Sequence, residues 1–157
     1  MDLEQALATA GQLRDLLAVE VESARAERHL LRSLDAPGLF ARAAQRGAFL
    51  CEVARLERGL AAALTRAGDA LGLEQVTLDR LRLRSPKQGQ ALSNILSDVR
   101  ALAGALQEID RLNLQLAGRA LACVRGYVDA VQPAPRAYDR RGARPASPSI
   151  ALVSSKG

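Results

Sequence analysis

An all-α fold is what this sequence predicts: an elongated, antiparallel, coiled-coil-like bundle of three helices, with a short extra helix between the second and third and a disordered C-terminal tail. Three observations carry that reading. First, the stretch from Gln90 to Val131, taken in sevens from Leu92, places Leu92, Val99, Leu106, Asn113, Ala120 and Tyr127 at one position. Ile95, Leu102, Ile109, Leu116, Cys123 and Ala130 follow three residues later. A 3-4 spacing sustained this long lays one seam along a single helical face, and that seam has to be covered by other helices. Some forty residues at about 1.5 Å each make a rod of roughly 60 Å. Second, the 48% hydrophobic content is mostly Ala and Leu, with four aromatics (Phe40, Phe49, Tyr127, Tyr138) and no Trp, a mixture suited to helix-on-helix packing. Third, no β-branched, strictly alternating run of strand length occurs.

The first helix is expected from about Asp2 to Leu34, where Leu3, Leu7, Ala10, Leu13, Leu17, Val21, Ala24, Leu31 and Leu34 recur at threes and fours. Glu20, Glu22, Arg25, Glu27, Arg28 and Arg32 read as its solvated, mixed-charge face. Asp35, Ala36, Pro37, Gly38 is a stop and restart, with Asp35 capping the next helix and Pro37 in its first turn. So short a connection turns the second helix back antiparallel. That helix, roughly Pro37 to Ala67, carries Leu39, Ala43, Phe49, Leu50, Val53, Leu56, Leu60 and Leu64, with Arg42, Arg46, Glu52, Arg55, Glu57 and Arg58 facing water. Gly68, Asp69 and Gly72 break the pattern, Thr77 caps a brief helix over Leu78 to Arg84, and Ser85 and Pro86 lead into the long third helix. Residues 1–132 are thus expected to form the bundle domain and 133–157 a flexible tail. In that tail Pro133, Pro135, Pro145 and Pro148 stand among Ser, Arg and Gly, with a small apolar island at Ile150, Ala151, Leu152 and Val153.

At 157 residues the chain suffices for one real core. Its net charge is +5, and Arg136, Arg140, Arg141, Arg144 and Lys156 against Asp139 place most of that excess in the tail. A nearly neutral body argues against a folded face built to grip a phosphate backbone. Cys51 and Cys123 both fall in apolar helical patterns, without a CxxC and with one His in the whole chain, so they read as buried free thiols in a reducing compartment. No metal, cofactor or catalytic constellation is expected, because no Ser, His and Asp set and no carboxylate cluster converges. The N-terminus lacks a basic segment followed by an apolar one, and no uncharged apolar run approaches the roughly 18 residues of a membrane span. A cytoplasmic, non-enzymatic protein is expected.

The long helix is irregular in its second half. Asn113 is the strongly polar residue of the seam, and a buried amide there serves either to fix register or to recognise a partner. Gly104, Gly118 and Gly126 interrupt the helix interior, and the last two predict a bend or a close approach of another backbone. The apolar face also widens. Ser93, Arg100 and Gln107 give way to Leu114, Leu121 and Val128 at one position, and Asp110 to Ala117, Val124 and Val131 at another. That circumference exceeds what a seam against two neighbours covers. Asn113, Leu114, Ala117, Leu121, Val124, Tyr127, Val128 and Val131 therefore read as a docking strip for an amphipathic helix of another protein. Packing onto a fourth helical segment or a dimer mate is the alternative.

The run Leu106, Gln107, Glu108, Ile109, Asp110, Arg111, Leu112, Asn113, the proline break after it, and Tyr138, Asp139, Arg140, Arg141, Gly142 resemble the C-terminal half of FlgN-type flagellar export chaperones. Asn113 matches the second Asn of the paired-Asn segment usual in that family, while Asp110 and Leu114 depart from it. The second helix, with Gln45, Arg46, Phe49, Leu50, Leu56, Glu57 and Arg58, is similar to the family's charged-then-apolar run. The resemblance implies a cytoplasmic chaperone of the flagellar type III secretion system. Such a chaperone binds the C-terminal amphipathic helices of hook-filament junction (hook-associated) proteins, prevents their premature assembly and delivers them to the export gate, as a monomer or weak dimer. It also implies that Tyr138, Asp139 and Gly142 form a tail motif. Two rivals stand beside it. His29, Leu30, Leu31, Arg32, Ser33 is similar to the phosphorylated stretch of histidine phosphotransfer domains, although the small residues that admit a response regulator are missing. A self-associating coiled-coil adaptor without clients is the other.

Overall fold

The computed structural model describes residues 2–131, and all regular structure in them is helical. The helices are α1 (Asp2–Ser33), α2 (Ala36–Ala70), α3 (Leu78–Arg84) and α4 (Pro86–Val131). The chain divides into two units, Met1–Leu121 and Ala122–Gly157. The expected tail motif at Tyr138, Asp139 and Gly142, the apolar island and the rest of 133–157 lie outside the described residues.

Within the first unit α1 and α2 form a hairpin. Leu34 takes a left-handed φ of 54° between them, and Asp35 caps α2 by accepting a bond from the Gly38 amide at 3.0 Å, as its position predicts. The hairpin closes on small residues. Ala6, Ala10, Ala63 and Ala67 are buried, and a Cβ placed on Gly59 would lie 3.7 Å from Thr9 Cγ2, so the two backbones run close. Arg66 reaches Asp2 at one end of the hairpin, and Arg42 reaches Glu20 nearer the other, which fixes the antiparallel register. Leu7 and Leu64, partly buried, pack against this alanine-lined contact.

The part of α4 in this unit packs along the hairpin through its seam. Leu92 joins Leu3, Ala6, Ala10, Leu60, Ala63 and Ala67 in one cluster. Leu106 and Ile109 join Leu13, Leu17, Val21, Ala24, Phe49 and Leu56 in a second. Successive contacts therefore rise together in α1 and α4 and fall in α2, which makes α4 parallel to α1 and antiparallel to α2. Thr77 caps α3 through the Arg80 amide at 3.3 Å. The short helix is clamped onto α4, where Leu81 is 1% exposed and a Cβ on Gly89 would come within 2.7 Å of the Arg82 amide nitrogen. Only a glycine lets these two backbones meet. By contrast nothing stands within 4 Å of a Cβ placed on Gly104, Gly118 or Gly126, and α4 is continuous through all three.

Several expectations need correction. Cys51 and Cys123 are exposed, not buried. Cys51 lies two residues past buried Phe49, about 200° around the helix, and so faces away from the hairpin. Cys123 falls at a seam position, but every residue from 121 to 131 is exposed. Leu34 and Leu50, assigned to apolar faces, are 52% and 56% exposed. Glu20 and Arg42, assigned to solvated faces, are 5% and 7% exposed and belong to the interior.

Candidate functional site

Where α1, α2 and α4 meet between the second apolar cluster and the hairpin turn, the interior is ionic. Glu20 accepts from Arg42 Nη2 at 2.5 Å, from Arg42 Nη1 at 3.3 Å and from Arg46 Nη1 at 2.6 Å. Arg46 also binds Asp110 of α4 and lays its guanidinium over the Phe49 ring, 5.5 Å from the centroid. Arg42 Nε stands 3.3 Å from Glu27 Oε2, near enough for ionic attraction but without hydrogen-bond geometry. Burial opposes the charge on Arg46, yet the hydrogen bonds it donates to Asp110 and Glu20 outweigh it and leave its pKa above the ordinary arginine value. The arginines on α2 thus tie a carboxylate of α1 to a carboxylate of α4.

Asn113 completes this layer. Its Nδ2 donates to the Ala24 carbonyl at 2.7 Å, and its Oδ1 accepts from Arg28 Nε at 3.2 Å. At 5% exposure both ends of the amide are occupied inside the chain, which ties α4 to α1 at this level. Leu114, the next residue, is 75% exposed. A cleft of about 340 Å³ opens here, lined by Leu39 and Ala43 of α2, Leu114 and Ala117 of α4, and the polar groups of Glu27, Arg42, Arg46, Asp110 and Asn113. It is an apolar-walled cleft over an ionic floor in which arginines and carboxylates pair.

The residues expected to form the docking strip fall as follows. In the first unit Leu114 and Leu121 (50%) are exposed, Ala117 is half-buried, and Asn113 lies beneath the surface. In the second unit Val124 is 40% exposed, Tyr127 71%, Val128 42% and Val131 62%. Leu39, Ala43 and the ionic floor were not singled out from the sequence as part of any site. The signal available was the coincidence of Arg42 and Arg46 one turn apart on a helix whose neighbours carry Glu20 and Asp110, and the pairing itself spans 22 and 64 positions. His29 is exposed at the edge of a separate groove with Ser23, Leu30, Gly38 and Gln45. Among the described residues no group of His, Cys, Asp and Glu could hold a metal ion, and no helix is long and apolar enough to cross a membrane.

A family model described as FlgN protein covers residues 1–146. No curated protein and no solved structure matches the chain. The matched span takes in all four helices and extends into the segment that carries Tyr138, Asp139 and Gly142. The chain belongs to the FlgN family of flagellar export chaperones.

Proposed function

We propose that the exposed apolar residues of α4 that follow Asn113 hold C-terminal amphipathic helices of hook-filament junction proteins, keep them from assembling early and release them at the export gate. The observation that carries this reading is the exposure of Leu114, Leu121, Val124, Tyr127, Val128 and Val131 along one helix. Isolated exposed leucines are ordinary, but six large apolar side chains within eighteen positions are costly to leave in water unless a partner covers them at work. An amphipathic helix is the matching occupant, since it hides its own apolar face in the same contact and needs no bond to be made or broken. Asn113, bonded to Ala24 and Arg28, ties α4 to α1 where the exposed stretch begins. Cytoplasmic residence follows from the same reading, because clients are met before export. No nucleotide or metal is required of the chaperone itself.

The test is a titration of the full chain with a synthetic C-terminal peptide of a junction protein, followed by calorimetry and by sedimentation. The expected result is a complex with one peptide, weakened about tenfold or more by Leu121→Asp or Val128→Asp. Helix content measured by circular dichroism stays constant, since both side chains are exposed. Unchanged peptide binding in both variants refutes the strip. Self-association of the peptide-free chain that Leu121→Asp abolishes, without any peptide binding, assigns the strip to a dimer contact instead.

A further inference from the structure

The α3 turn presents a second surface of a different character. Its sequence, Leu78 to Arg84, anchors through Leu81, which is 1% exposed, while Leu83 two positions on is 82% exposed. Arg80 and Arg84 line the same groove as Leu83, and Lys87 follows at the start of α4. Arg82 is committed to Asp79 at 3.5 Å and to Ser93, and Arg80 reaches only the Gln75 carbonyl at 3.4 Å. Among the described residues Arg84 and Lys87 have no ion-pair or hydrogen-bond partner. Beside Leu83 a groove of about 400 Å³ runs between Arg80 and Arg84 on one side and Gly72, Leu73 and Glu74 on the other. A turn that served only to connect α2 to α4 would need neither an outward leucine nor cations, Arg80, Arg84 and Lys87, that form no ion pair among the described residues. It would also not need the glycine contact at Gly89, which holds this segment rigidly against α4.

We propose that the α3 turn is a docking surface for an acidic protein segment bearing an apolar side chain. Carboxylates would pair with Arg80, Arg84 and Lys87, and the apolar side chain would lie in the groove against Leu83. An anionic membrane fits less well, because a single leucine offers little to insert and the groove is concave. Along α4, Leu114 lies 28 positions beyond Pro86, about 42 Å at helical rise. The surface is therefore separate from the residues assigned to client helices and does not depend on that assignment. A chaperone so built engages a second protein without first surrendering its load.

The experiment uses the full-length chain and a fluorescein-labelled peptide of Glu and Asp with leucines at i and i+4. A control peptide has serines for the leucines, and vesicles of phosphatidylserine with phosphatidylcholine form a third arm. The expected result is binding of the leucine peptide that falls with added salt, is lowered about tenfold by Leu83→Ser, and is lost in Arg80→Glu/Arg84→Glu. Junction-protein peptide binding is unchanged in the same variants. All three side chains are exposed, so circular dichroism is expected to show parental helix content. The proposal is overturned if the variants bind the acidic peptide as the parent does, if the serine peptide binds equally well, or if only the vesicles bind. It is also overturned if the variants lose the junction-protein peptide as well.

Discussion

Replacing Glu20 by Gln keeps the shape of the side chain and removes the charge that two arginines share. In the parent, Arg42 is 7% exposed and spends both terminal nitrogens on Glu20, with Glu27 as its remaining anion at 3.3 Å. Breaking a buried pair by removing one partner costs roughly 3–5 kcal/mol, because the remaining charge stays in a poor solvent. Here Glu27 is 25% exposed and compensates partly, and Arg46 keeps Asp110, so the low end applies: about 3 kcal/mol. For a chain of this size that corresponds to a fall in Tm of about 10 °C. The companion variant, Glu20→Leu with Arg42→Met, removes both charges and fills the space with apolar atoms. It is expected to recover most of the loss or to exceed the parent in stability, since desolvating the pair offsets much of its attraction. Urea unfolding followed by circular dichroism measures both. A Glu20→Gln loss within about 0.5 kcal/mol would mean that the carboxylate is solvated and the ionic layer is not interior. A double variant no more stable than Glu20→Gln would mean that the cost lies in shape and not in charge.

Three further outcomes are expected. Asn113→Ala removes the bonds to the Ala24 carbonyl and Arg28, and is expected to lower unfolding free energy by about 1–2 kcal/mol in the same urea assay. Gly89→Ala drives a Cβ to 2.7 Å from the Arg82 amide nitrogen, and neither backbone can yield locally. A cost of about 1–3 kcal/mol is expected, with faster hydrogen exchange confined to α3 and its contacts, and parental exchange there would refute the clamp. Glu52 and Glu108 are held below the usual carboxylate range by hydrogen bonds from Arg55 and Arg111. Their contribution is therefore present above the unfolded value near 4.3 and is lost as pH falls through the folded values. Glu52→Gln/Glu108→Gln should melt slightly below the parent at neutral pH, with the gap closing on acidification, and a gap that widens in acid would contradict the sign.

Local order was legible in the residues. Asp35 and Thr77 announce caps because their side chains serve amides three positions away, inside any reading window. The seam at Leu92, Leu106 and Ile109 is legible because helical periodicity alone places those residues on one face. The widened apolar stretch from Leu114 onward is written in the same periodicity, and those large side chains are exposed. Charge was read less well. Glu20 and Arg42 look like surface residues among Glu22, Arg25 and Arg46, and the mistake has a definite cause. A charge enters the interior only when its counter-charge arrives from another helix, and nothing in either segment reports that arrival.

The sequence by itself determined the helices, their order, the caps at Asp35 and Thr77 and the seam of α4 at Leu92, Leu106 and Ile109, since these follow from residues a few positions apart. By contrast, α2 runs on through Gly68 and Asp69, expected to break it, to Ala70. Only the tertiary structure decided that Glu20, Arg42, Arg46 and Asp110 share one interior layer, that Asn113 is spent on Ala24 and Arg28, and that Cys51 and Cys123 face outward. Those outcomes depend on separations of up to 89 positions and on how closely the alanine-lined hairpin lets α1 and α2 approach. Burial of a polar group is a property of its surroundings, and surroundings exist only once the helices have packed.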